Sequence, residues 1–160
     1  RSLDVPVDSN SAFAAIRRIG GANGWYWGNW LWKLRGAMDR SVGGPGMRTS
    51  SHIHRPLERG DLIDFWTVQS CDEVSRLTLR ADMKLPGEAC LDLRVEPLES
   101  GVRIVQTASF NARGILGVLY WSLLHPLHTR VFNGMLRGIA QEALLLSPPS
   151  GDSAERPLLT

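Results

Sequence analysis

Between Asp61 and Phe110 the apolar residues of this chain fall on every second position, run after run, with short turns between the runs. A period of two marks strands with one face on a core and the other in water, and it excludes helix from the stretch. Leu62, Asp64, Trp66 and Val68 fall on one side, and Ile63, Phe65, Thr67 and Gln69 on the other. Leu77, Leu79, Ala81, Met83 and Leu85 then alternate with Arg76, Thr78, Arg80, Asp82 and Lys84, and Pro86-Gly87 turns the chain. Ala89, Leu91, Leu93 and Val95 follow, and Glu99-Ser100-Gly101 turns it again. Val102, Ile104, Gln106, Ala108 and Phe110 make the last run. Consecutive strands of this kind read as an antiparallel meander with one wet face.

On both sides of the meander the period changes. Leu3, Val5 and Val7 alternate as a short strand that Pro6 limits to an edge. Asp8, Ser9 or Ser11 can cap a helix with Phe13, Ile16 and Ile19 on its buried side, ended by Gly20-Gly21. Four of the six tryptophans (Trp25, Trp27, Trp30, Trp32) then lie within eight residues, beside Tyr26. From Trp27 onward, Trp27, Leu31, Leu34, Met38 and Val42 keep helical spacing. That predicts a second helix burying this face and stopping at Gly43-Gly44-Pro45-Gly46. Residues 47–60 carry no period and read as loop or irregular edge strand.

After Gly114 a broad stripe of Leu116, Leu119, Tyr120, Leu123, Leu127, Val131, Met135, Ile139 and Ala143 predicts a long helix, kinked or restarted near Pro126. The Pro-containing stretch 147–160 reads as a flexible tail, leaving 1–146 as one domain. The sum is an α+β fold: a strand, two short helices, a curved antiparallel sheet, and a long C-terminal helix across its apolar face. Between sheet and helix lies either a packed core or a hollow.

Charge and motif content narrow the function. The longest uncharged run, Gly114 to Thr129, has sixteen residues, fewer than the roughly 20 apolar residues of a membrane span. No transmembrane segment is expected. Residues 1–59 hold nine basic and four acidic side chains, and the remainder nine against twelve. That asymmetry suits an acidic surface or a second domain, so a protein-interaction module or homodimer is one reading; solvated arginines are the plainer one. Cys71 and Cys90 form no C-x-x-C pair, and the N-terminal residues have no apolar signal segment, so a cytoplasmic location is expected. There is no G-x-S-x-G, P-loop, H-E-x-x-H or G-x-G-x-x-G motif.

The residues that could serve a hollow are few. Trp25, Tyr26, Trp30 and Trp66 are expected to line it, with inward Met83 and stripe residue Tyr120; Trp27 and Trp32 could equally pack the helix onto the sheet. Plain core is the competing account of these aromatics. Asp64 is the inward acid: a ligand anchor or general base, or a carboxylate satisfied by structure. Gln106 is the second inward polar group, a ligand contact or a core hydrogen bond. His125 and His128 are weak metal or acid–base candidates, since no acid lies near to complete a site, and His52 with His54 is a weak one because it falls in a loop beside Arg55 and Pro56; no metal is expected. Trp32-Lys33-Leu34-Arg35 also resembles an interfacial membrane helix or a nucleic-acid stacking surface. Those readings need exposed aromatics, and the helical spacing argues for burial; no nucleic-acid partner is expected.

The stretches IRRIGGANGWYWGNWLWKLRGAMDRSVGGPGMR, RGDLIDFWTV, LRADMKLPGEACLDLRVEP, IVQTASFNARGILGVLYW and PLHTRVFNGMLRGIA resemble a bacterial family of unknown function found C-terminal to atypical short-chain-dehydrogenase-like NAD(P)-binding domains. The resemblance covers roughly residues 5–145. That family is similar to the START/polyketide-cyclase (SRPBCC) superfamily. The resemblance implies a helix-grip fold, with the sheet wrapped around the long helix, and a deep pocket for hydrophobic ligands. It implies no fixed catalytic set. The expected function is binding of a hydrophobic small molecule (lipid, polyketide or isoprenoid-like) without chemistry of its own. The alternatives are a cyclase or isomerase using Asp64, or the substrate-binding module of an NAD(P)-dependent reductase. The sequence has no nucleotide-binding half, so no cofactor is expected in this chain. NAD(P) would enter only through a separate or missing upstream domain.

Overall fold

The computed structural model describes residues 1–20, 23–41, 43–44, 56–72, 74–82 and 86–148; the side chains of Arg35, Leu116, Tyr120 and Leu124 lie outside that description. Strand β1 (Ser2–Val5) is followed by helices α1 (Ser9–Arg17) and α2 (Asn29–Ser41). Strands β2 (Leu62–Ile63), β3 (Trp66–Cys71), β4 (Arg76–Ala81), β5 (Gly87–Pro97) and β6 (Val102–Ala112) lead into helix α3 (Gly114–Leu146). The fold is α+β, with one six-stranded sheet in the order β1-β6-β5-β4-β3-β2, every neighbouring pair antiparallel.

The alternation read from the sequence holds where the strands are long. Leu77, Leu79, Leu91, Leu93, Val102, Ile104 and Gln106 are all buried on one face. On the other, Asp92 joins Arg76 and Thr78 at 2.7 and 2.9 Å and pairs with Arg94. A bulge between Val68 and Ser70 shifts the β3–β4 register and adds local twist to the sheet. Asp8 caps α1 by accepting from the Ser11 amide at 2.9 Å and the Ser11 hydroxyl at 2.6 Å.

Helix α3 runs antiparallel along β6. Its start touches Ala112, its middle reaches Gln106 through Met135, and its last carbonyl meets Ser11 of α1. It passes unbroken through Pro126, where the sequence suggests a kink or a restart. One lost backbone bond does not end a helix of 33 residues that is gripped at both ends.

Three expectations are corrected. The run from Leu62 to Gln69 is not one strand: Asp64 and Phe65 form a two-residue turn between Ile63 and Trp66, with Asp64 at φ 55°. Phe65, expected on the wet face, is therefore buried. Helix α2 starts at Asn29 and buries Trp32, Gly36 and Asp39, while Trp27, Leu34 and Met38 of the expected inner face are exposed. The first half of α3 turns Trp121 and His128 inward, against Phe110 and Phe132, and leaves Leu119, Leu123 and Leu127 exposed. Val131, Met135, Ile139 and Ala143 are buried as the stripe predicts.

Candidate functional site

The aromatic segment ahead of α2 sends three consecutive rings to three places. Trp25 is buried, and its indole Nε1 donates to Asp64 Oδ2 at 2.8 Å. Tyr26, held at φ 61°, donates its hydroxyl to the Ala15 carbonyl at 2.8 Å. Partial burial, with Glu142 nearby, pushes its phenol well above its ordinary range. Trp27 lies across α3 where Gly134 leaves room; a Cβ there would strike the indole, and one at Gly138 would strike Tyr26. Two glycines four residues apart thus make the seat for this segment on α3.

Behind it, four rings close on one another. Trp25 lies 5.2 Å from Trp32 and 5.9 Å from Trp66, and Phe65 is 5.7 and 5.6 Å from the same two. Trp32 also meets Phe132 of α3 at 6.1 Å. Such pairs each add about 0.5–1.5 kcal/mol beyond their burial. Trp25, Asp64 and Trp66 therefore come together, in a cluster that anchors α2 to the sheet and to α3.

From here the space between sheet and α3 divides into two ends. At one end Leu77, Leu93, Ile104 and Gln106 of the sheet and Met135, Ile139 and Ala143 of α3 have no exposed surface; Gln106 meets Met135, and α1 packs on β4, β5 and β6. At the other end the inward positions shrink. Ala81 pairs with Trp66, Ala89 with Phe110, and Ala108 with Leu91. All three alanines remain partly accessible. Phe110 stacks on Trp121 at 5.3 Å, and Trp121 lies 5.3 Å from His128, itself 5.9 Å from Phe132. The result is a floor of methyl groups with aromatic walls: Trp66 at one side, Phe110 and Trp121 at the other.

Among the described residues, Trp66 Nε1, Trp32 Nε1 and Gln106 Oε1 are buried polar atoms with no hydrogen-bond partner. Gln106 uses its amide nitrogen on Met135 Sδ at 3.6 Å. A buried polar group left unpaired costs about 1–3 kcal/mol.

The remaining sequence candidates scatter. Trp30 is exposed, and so is His125, against Trp121 at 5.9 Å. Met83, His52, His54 and Val42, with the Tyr120 side chain, lie outside the described residues. Among the described residues no three His, Cys, Asp or Glu side chains gather as a metal site. Sequence reasoning did not count Trp121, Phe110 or the three alanines among the site residues, whereas Trp32 packs α2 onto the sheet as one of its readings had it. The alternation did place the alanines inward; their small size was the available signal.

A profile for the protein family of unknown function DUF2867 matches residues 1–135. The architecture is that of the helix-grip α+β proteins. The chain belongs to the DUF2867 family within that class. No curated protein matches the sequence. Ara h 8.0201 has the same fold at 10% identity, over 91% of this chain and 95% of that one, with a TM-score of 0.54. The di-domain ARO/CYC protein StfQ of the steffimycin biosynthetic pathway aligns at 11% identity and a TM-score of 0.57, over 91% of this chain. The present chain spans 49% of its length, about half.

Proposed function

We propose that the chain binds a hydrophobic small molecule of lipid, polyketide or isoprenoid kind at the open end of the sheet, beneath the first half of α3, without chemistry of its own. The observation that carries this reading is the accessible alanine floor, Ala81, Ala89 and Ala108, walled by Trp66, Phe110 and Trp121. Concave apolar surface with a few polar groups is the usual form of a small-molecule site. The fold shared with StfQ and Ara h 8.0201 supports the reading at the level of architecture only.

Native mass spectrometry of the purified protein, with displacement of a fluorescent fatty acid, tests it. Retained apolar mass and displacement that Ala108→Trp abolishes are expected; an Ala108→Trp variant that binds the probe as well as the parent overturns it. A cyclase or reductase-module role is the second reading, supported by His128, which sits half-buried on the inner face of α3. His128→Gln separates the two, since a pure binder keeps its affinity while an enzyme using that imidazole loses turnover. On the reductase-module reading, NAD(P) would be held by a neighbouring domain.

A further inference from the structure

Helix α2 presents outward an apolar row that none of the described residues buries. Trp30, Leu34 and Met38 are 67, 51 and 55% exposed. They stand four residues apart, on one line of the helix roughly 12 Å long. The helix buries the opposite side through Trp32, packed on Trp25, Phe65 and Phe132. The row is therefore held outward by a fixed core.

Among the described residues, the exposed charges of α2 share one sign. Lys33 and Arg40 are exposed, whereas Asp39, the helix's one acid, is fully buried. The exposed row on α3, Leu119, Leu123 and Leu127, differs. No charged residue lies between Arg113 and Arg130. Of these two exposed rows, the one on α2 couples aromatic and aliphatic side chains to cations. Indole rings with flanking Lys and Arg suit the headgroup level of an anionic bilayer, where the stems of the cations lie along the apolar surface.

We infer that α2 is an interfacial docking helix for anionic lipid membranes. Trp30, Leu34 and Met38 enter the boundary between headgroups and acyl chains, and Lys33 and Arg40 meet lipid phosphates. The helix lies in the membrane plane, since no described helix is long and apolar enough to cross. This docking rests on α2 alone and stands or falls separately from the ligand site.

Flotation of the intact chain with phosphatidylserine-rich and with pure phosphatidylcholine vesicles, at low and high salt, tests it. Binding to the anionic vesicles is expected, weakened by salt and by about fivefold for each of Lys33→Gln and Arg40→Gln. Trp30→Ala with Leu34→Ala is expected to lower it by about tenfold or more. These side chains are exposed, so circular dichroism of each variant should match the parent. Flotation of the pocket-filling Ala108→Trp chain should equal that of the parent. Absent flotation, equal binding to neutral vesicles, or indifference to all four substitutions overturns the inference. So does a dimer by light scattering that Leu34→Ser converts to monomer, because a second copy would then cover the row.

Discussion

The two ends of the sheet share strands, pleat and covering helix, yet one is solid and the other has an accessible floor. At the solid end the inward positions are large side chains and Gln106, buried beneath α1 and the second half of α3. At the other end, along the same strands, those positions become Ala81, Ala89 and Ala108, and α3 answers with Trp121 and His128. Architecture thus does not decide whether a helix-grip protein has room inside. The size of a few inward residues does, because interiors fill to crystal-like density wherever side chains can reach.

That contrast can be broken by substitution. Leu93→Ala at the solid end should cost about 3 kcal/mol in denaturant unfolding, through lost transfer energy and the void left behind. A cost below about 1 kcal/mol would mean that end is loose as well. Asp64→Ala should cost about 2 kcal/mol, stranding the Trp25 indole donor in the core. Asp64→Asn should restore most of it, because an amide oxygen still accepts and Asn tolerates the left-handed backbone. Equal losses in the two variants would mean that the negative charge itself is required.

Asp92 offers a smaller effect on the outer face, common to both ends. Burial raises its pKa, but hydrogen bonds from Arg76 and Thr78 and the charges of Arg76 and Arg94 outweigh this and hold it below the ordinary carboxylate value. Its contribution is therefore present above about pH 4 and lost as pH falls through the lowered folded value. Asp92→Asn should cost about 1 kcal/mol at neutral pH and flatten the acid limb of the stability curve. An unchanged acid limb would remove this group from the acid response. Smallest in stability is Ala108→Leu, expected to cost less than about 1 kcal/mol, since the added methyls enter accessible space. It should nonetheless weaken probe binding; a penalty matching Leu93→Ala would show that the open end is solid.

The sheet was legible because one face is wet, so Leu77 to Ala81 and Ala89 to Val95 could point only one way. Helix α2 was not. Trp30 and Trp32 lie on different sides of it, and burial fell to the one that meets Trp25, Phe65 and Phe132, partners distant along the chain. The first half of α3 was ambiguous for a related reason: sixteen uncharged residues give no polar face to orient a stripe. At the candidate site each alanine could be read as inward, but the floor exists only through the pairing of β3, β4, β5 and β6. The reading of Asp64 followed an alternation through what is a turn.

That turn places two separate demands on one position. The backbone at Asp64 lies at φ 55°, a region where Asn, Asp and Gly are at ease and most residues are strained. Its side chain must also accept from a buried indole, which Gly cannot do. Only Asp and Asn satisfy both. Across diverging copies of this chain, position 64 should therefore show the near-invariance of a catalytic acid for reasons of backbone and packing. Asn arising there without loss of function would tell the two origins of that invariance apart.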